Sequence, residues 1–430
     1  MRGDYTELIE KVSAEIAACL LGQEDEEELG REASLLDGQV LSLLRQIGLR
    51  VMSLVFESFQ RRMMKTAQSE GYGTHRWSEI TYSVIFGVLT LSSVYLWKPG
   101  MGRRPLREMG LTHQGRSLTV EKALASFGSE ESFAQAAERF REHYGWSVDK
   151  STVWRVTERV AQETERYGQQ RLNEAPQTVP QAELLIELDG CEIRTGTLIP
   201  CTEAAVGEKP KKQRVTRWRE VRMGLVRPLG AASKQYVGGM LDYPSIVGQL
   251  RAAASQQGMT NQTRIVAVAD GGQGLKEELE SPFYPLQFIL DRPHLKSHLT
   301  ETAEAVVPPS LPPRQWVEET LHTIDQGRVR LVIRKLDGEE NRQPVERRGR
   351  LLGYLRRFAD CVHYDAFREK GWPIGSGEVE SSHRSIPQKR LKLPGAWWHP
   401  NSINPMMALR VVRANGWWDE FWRQKEKQAA

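Results

Sequence analysis

At 430 residues the chain has room for about three domains and a sizeable core. Its 59 basic and 55 acidic residues leave a formal charge of +4, so any nucleic-acid contact has to come from local clusters and not from global charge. Four cysteines (Cys19, Cys191, Cys201, Cys361) form no Cys-x-x-Cys pair and no close Cys/His set, which argues against a disulfide framework or structural zinc. With Asp4, Glu7 and Glu10 early in the chain there is no signal-peptide pattern, and the expectation is a cytoplasmic, nucleoid-associated protein.

Residues 5 to 68 read as helical, with Leu35, Leu36, Val40, Leu43, Leu44 and Ile47 at three- and four-residue spacings that bury one face. This N-terminal region, 1–79, is a packing or dimer element; the alternative is a DNA contact through Arg61, Arg62 and Lys65. Ile80 to Trp97 is uncharged for 18 residues, the lower edge of a membrane span, but its Thr and Ser residues and central Gly87 favour a β-hairpin. Hairpin and the basic Gly/Pro connector after it occupy 80–116. No membrane partner is expected.

From 117 to 172 the pattern is helical again: Glu131 to Tyr144, a break at Gly145, then a helix from Lys150 to about Tyr167, the layout of a helix-turn-helix. Val153, Val156 and Val160 form one stripe, and Arg155, Arg159 and Arg166 fall opposite, where they could face a DNA groove. An ordinary helical hairpin with a solvated arginine face has the same spacing.

A Pro-bearing linker ends at Pro180 and introduces a core over 181–301. Leu184 to Ile193 is a buried-strand pattern with Asp189 near its end and Glu187 on the same face by period two. Strands are expected at 218–228 and 235–241, a helix at 244–256, then two more apolar strands that deliver Asp270 before two glycines and Asp291 before Arg-Pro-His294. A strand-end acid is bland alone, because polar residues often mark the exit from a core. Three of them in a β-β-β-α-β-α order are less so. A helical insertion fills 302–370, and 371–430 returns to the core through Gly371-Trp-Pro-Ile-Gly-Ser-Gly-Glu-Val-Glu-Ser381, a Gly-Ser-Gly turn opening a helix that Pro387 interrupts.

Asp189, Asp270 and Glu380 offer three oxygen ligands, a set suited to Mg²⁺. Two such ions about 4 Å apart can activate one oxygen and stabilise another during in-line attack at phosphorus. Asp291, His294 and His383 would stand beside them as substrate-positioning groups. Helical geometry says only that Glu378 and Glu380 cannot share one face. Local basic excess suits a polyanion: Lys211, Lys212 and Arg214 in one stretch, and Arg384, Lys389, Arg390 and Lys392 in another, can bind a phosphate backbone without reading sequence, or can simply be solvated surface.

Leu-Asp-Gly at 188–190, Trp-Arg-Glu-Val-Arg at 218–222, Ala-Asp-Gly-Gly at 269–272, Asp-Arg-Pro-His at 291–294 and Pro-Ile-Gly-Ser-Gly-Glu-Val-Glu-Ser at 373–381 resemble bacterial insertion-sequence transposases of the DDE class, and among them the ISKra/ISLre type. Gln-Lys-Arg-Leu-Lys-Leu-Pro-Gly-Ala-Trp-Trp at 388–398 and Met-Ala-Leu-Arg at 407–410 extend the resemblance. It implies a multidomain α+β protein: a helical N-terminal region with a β-hairpin and helix-turn-helix, then an RNase H-like α/β catalytic core with a mixed sheet, interrupted by an all-helical insertion. It implies Asp189, Asp270 and Glu380 as metal ligands and catalytic residues, with Glu380 preferred over Glu378 because the family's acid lies three residues after the second glycine of Gly-Ser-Gly. Many relatives carry a cysteine-bearing segment where this chain has Tyr95 to Arg104, so no zinc is expected.

The resulting expectation is a transposase that cleaves and rejoins double-stranded DNA, at transposon ends and target, with two Mg²⁺ ions (Mn²⁺ able to substitute) and acts as a homodimer or higher oligomer on DNA. A regulatory DNA-binding protein with an idle core, or a stand-alone nuclease of RNase H-like fold, are the alternatives.

Overall fold

The computed structural model describes residues 5–21, 33–175, 178–200, 212–307, 311–338 and 345–429. Lys211 lies outside the described residues. The chain divides into two compact units, one of residues 1–123 and 138–148, the other of residues 124–137 and 149–430.

In the first unit, helices α1 (Thr6–Leu21) and α2 (Ala33–Ser69) precede strands β1 (Gly73–Val84), β2 (Gly87–Lys98) and β3 (Met101–Arg103), the short helix α3 (Pro105–Glu108) and strand β4 (Gly115–Arg116). The strands form one sheet in the order β3-β2-β1-β4. The uncharged stretch at 80–97 is therefore hairpin, as its serines, threonines and glycine imply, and it starts seven residues earlier than the apolar pattern does. Gly87 closes its turn at a φ of 148° that a side chain would resist. One face of α2 covers the hairpin: Phe56, Leu49 and Met52 pack with Ile80, Val84, Leu89 and Leu91. Gln60 bonds the backbone of Ser92 and Val94. By length and composition alone, Leu36–Ser69 of α2 is also long and apolar enough to cross a membrane.

Helices α4 (Leu118–Gly128), α5 (Phe133–Tyr144) and α6 (Lys150–Leu172) follow. In α6 the stripe Val153, Val156 and Val160 is buried and Arg155, Arg159 and Arg166 are exposed, the division that their spacing implies.

The second unit is built on β5 (Glu183–Pro200), β6 (Lys212–Pro228), β7 (Gln235–Gly239), α7 (Tyr243–Gln256), β8 (Arg264–Ala269), α8 (Leu275–Glu280) and β9 (Leu286–Leu290). Sheet order is β7-β6-β5-β8-β9, with β5, β6 and β7 antiparallel and β8 and β9 parallel to β5. The protein is thus α+β with a mixed sheet. Strand β8 and the Leu184–Leu188 run of β5 are apolar save for Arg264 and Glu187 because both their faces are covered. One core unites them with α7, with α9 (Arg292–Val306), α10 (Pro313–Asp325), α11 (Val329–Asp337) and α12 (Val345–Arg357), and with α13 (Tyr364–Glu369).

After that helical stretch come α14 (Gly377–His383), a π-helical turn at Arg384–Gln388, α15 (Lys389–Leu391), α16 (Pro400–Ala414) and α17 (Trp418–Ala429). Pro387 was expected to interrupt the helix that opens at Gly377. Instead it sits inside the π turn and the helical path continues, because the wider turn tolerates a residue with no N–H to donate.

Candidate active site

Strand register sets the site. The paired run of β5 and β8 ends at Leu188 and Ala269, and that of β8 and β9 at Ala269 and Leu290. The next residue on each of three adjacent parallel strands is an acid: Asp189, Asp270 and Asp291. Each is tied to its own turn. Asp189 accepts from the Gly190 N–H at 2.8 Å, Asp270 from Gly272 at 3.1 Å, and Asp291 from His294 at 2.9 Å. The glycines after Asp270 are required by space: a Cβ on Gly271 would meet the Tyr354 ring, and one on Gly272 the Tyr243 hydroxyl.

Asp291 differs from the other two. It is fully buried, it caps α9, and its second oxygen accepts from both the backbone N–H (2.7 Å) and the hydroxyl of Ser376. Burial opposes its ionisation, yet the bonds from His294 and Ser376 hold its carboxyl below the usual carboxylate range. Asp291 therefore pins the Gly-Ser-Gly turn to the sheet and has little acceptor capacity left.

The turn delivers Glu378 and Glu380 to different surroundings. Glu378 is locked between Arg227, at 2.6 Å, and Lys234, at 2.7 Å, which keep it ionised despite partial burial. Glu380 is exposed, and a carboxylate oxygen of it lies within 4.8 Å of ligand atoms of both Asp291 and His294. Among the described residues those three are the set brought within a single ion's reach; Asp189, Asp270 and Glu380 do not form so tight a group. Ligands shared out between two ions about 4 Å apart span more than one ion's coordination sphere.

Electrostatics mark an acid cluster that is short of positive charge. Burial, with the neighbouring charges of Asp270 and Asp291, raises Asp189 against the bond from Gly190 and the charge of His294. His294 lies with Nδ1 3.3 Å from Asp291 Oδ1, an ion-pair distance more than an aligned hydrogen bond. Asp291, with added charge from Asp189 and Asp270, lifts His294 to about 9, so near neutrality it is a cation among acids. His383 is the opposite case. It is buried, pushed down to about 4 by desolvation, and places Nε2 3.9 Å from Asp189 Oδ2. At that pKa it is a neutral neighbour, able to orient Asp189 but not to neutralise it.

The carboxylates fit a hard divalent ion. Asp189 and Asp270 each commit one oxygen to a glycine N–H, and Glu380 stands exposed near Asp291 and His294, so the donor set is oxygen-rich, as Mg²⁺ prefers. His294, protonated, is a poor ligand and a good partner for negative charge.

The basic residues separate into two groups. Lys212 and Arg214 are exposed on β6, with the Arg214 guanidinium 4.7 Å from the Trp397 ring centre. Arg155 is exposed and turns back to bond Ser151 and Thr152 of its own helix, and Arg159 pairs with Glu163 at 3.7 Å. Arg384 and Lys392 are exposed, while Lys389 is tied to Glu130 at 2.6 Å. Arg390 does not fit the expectation of a DNA contact. It is 2% exposed, lies 4.6 Å from the ring centres of both Phe133 and Trp398, and donates to the Gly128 carbonyl. A guanidinium between two aromatic faces, in a chain segment that turns inward, becomes core.

Sequence reasoning gave Glu187 no role beyond sharing a face with Asp189. It is 1% exposed, its Oε2 accepts from the Val379 N–H at 2.8 Å, and burial raises it to about 7. A carboxylate two residues before Asp189 in an otherwise apolar strand was the available signal.

No protein-family model and no curated protein matches the sequence. Among solved structures the chain is similar to the Drosophila P element transposase strand transfer complex at 10% identity, with a TM-score of 0.28, over 75% of this chain and 83% of that one. So distant a likeness carries no weight for fold or chemistry.

Proposed function

We propose that the protein is a DDE-type DNA transposase of the insertion-sequence kind, carrying out metal-dependent strand cleavage and strand transfer on an RNase H-like core. The observation that supports this best is the row Asp189, Asp270 and Asp291 at three adjacent strand ends, with Glu380 brought to it by a turn that Asp291 anchors. The strand order β7-β6-β5-β8-β9, with only β6 opposed to the rest, agrees with an RNase H-like sheet.

Asp189, Asp270 and Glu380 would hold two Mg²⁺ ions, or Mn²⁺ in their place, which when bound supply activation of the attacking oxygen and stabilisation of the leaving one. The chain's own groups do the rest. Asp291 holds the Gly-Ser-Gly turn that presents Glu380, and His383 keeps a neutral ring against Asp189. His294 places positive charge where the acids repel, easing their approach to a phosphodiester. Lys212, Arg214, Arg384 and Lys392 are exposed cations able to follow a phosphate backbone. Pairing of two element ends calls for at least a dimer on DNA.

The test is strand cleavage and joining on duplex DNA bearing the element ends, with Asp189, Asp270 and Glu380 replaced singly by Ala. Loss of both reactions in all three variants is expected; undiminished cleavage would refute the assignment.

A further inference from the structure

Asp189 and Glu380 are separated by nearly two hundred residues of chain, and two ligands of one metal centre have to be held to a fraction of an ångström. Asp291 anchors the start of the turn at Ser376, four residues before Glu380. A second anchor lies nearer. The Val379 N–H, one residue before Glu380, donates to Glu187 Oε2 at 2.8 Å, and the Glu378 N–H also bonds this carboxylate.

Glu187 stands two residues before Asp189 on the same strand and the same face, a spacing of about 7 Å fixed by the extended backbone. It is 1% exposed, so no other solvent-facing task accounts for it. Its neighbour Glu378 cannot substitute, being held by Arg227 and Lys234. A buried carboxylate in an apolar strand is costly unless hydrogen-bonded, and here the bonds run to the first turn of the helix that carries Glu380.

We infer that Glu187 is a positioning residue for the metal centre: a latch that fixes Glu380 relative to Asp189 through one rigid stretch of β5. This rests on the metal-dependent reading of the acids proposed above. Glu187 touches neither substrate nor ion. It sets the distance between two groups that do.

The test uses the full-length chain, DNA bearing the element ends, and Mn²⁺ as the probe ion, with cleavage rate measured across a Mn²⁺ titration. Glu187→Leu fills the volume and removes the acceptor along with a buried charge, so folding is expected to survive. Its half-saturating Mn²⁺ concentration should rise at least about tenfold, with the rate partly recovered at high Mn²⁺. Glu187→Gln keeps an acceptor and should stay within about threefold of the parent. A purely structural role would lower the active fraction without moving the half-saturation point.

A folded Glu187→Leu chain with the parent's Mn²⁺ dependence overturns the latch, as does one that fails to fold. Glu380→Gln is the control that separates the two ideas. If it leaves cleavage intact, the metal-centre reading fails; if it abolishes cleavage while Glu187→Leu changes nothing, only the latch fails.

Discussion

The acid centre and the arginine cluster around Glu130 are made of the same material, ionised side chains at the margin of one unit, and resolve their charge in opposite ways. In the arginine cluster every charge has a partner. Arg410, 5% exposed, donates to the carbonyls of Ser129, Ile386 and Ser385 and meets Glu130 at 3.0 Å; Arg413 and Lys389 reach the same carboxylate. In the acid centre like charges face one another, and the nearby cation, His294, is held protonated by Asp291 with the added charge of Asp189 and Asp270. Buried charge tied to a counterion and to backbone carbonyls serves stability, whereas like charges left facing one another mark a place prepared for a ligand.

That contrast can be broken first at its acid end. Asp270→Asn should lower DNA cleavage by about 10⁴-fold, equivalent to ~5.5 kcal/mol of barrier, while the melting temperature holds or rises because a source of repulsion is gone. A loss of fold together with activity would make the acids structural. At the basic end the expectation inverts: Arg410→Ala leaves three carbonyls without a donor and takes from Glu130 one of its three cations, and should cost about 3–5 kcal/mol in urea unfolding. Stability like the parent's would show that the cluster is not a structural tie.

A third prediction concerns pH. Glu187 titrates near 7 when folded, against an ordinary value of 4.5, so the folded chain holds its proton longer than the unfolded one does. Its contribution to stability is therefore lost as pH rises from about 4.5 to about 7, by up to ~3 kcal/mol, and is constant above that. Glu187→Gln removes this term, and the difference in unfolding free energy between parent and variant should follow that window. A difference independent of pH would mean that Glu187 binds its proton alike in the folded and unfolded chain.

The smallest effect separates two acids two residues apart. Glu378→Gln weakens pairs with Arg227 and Lys234 and should cost about 1 kcal/mol of stability with cleavage retained. Glu380→Gln should do the reverse.

Strand-end acids were legible in the sequence because apolar runs ending in Asp-Gly or Asp-Arg-Pro can be placed by period and turn chemistry alone. Which of those acids are free to bind an ion was not. That depends on Ser376 reaching back to Asp291 and on Arg227 meeting Glu378, contacts between residues 85 and 151 positions apart. The basic run 384–392 reads as surface by composition, and only the fold shows Arg390 turned between Phe133 and Trp398. The π turn that absorbs Pro387, in which Ile386 and Pro387 are both buried, has no local signature either.

The central claim, that the acid centre is built for divalent ions, is tested most directly by Mn²⁺ binding to the full-length chain, followed by electron paramagnetic resonance, for the parent and for Asp189→Asn. Saturable binding in the parent that is lost in a variant of unchanged circular dichroism is the predicted result. Equal Mn²⁺ uptake by both proteins would contradict it.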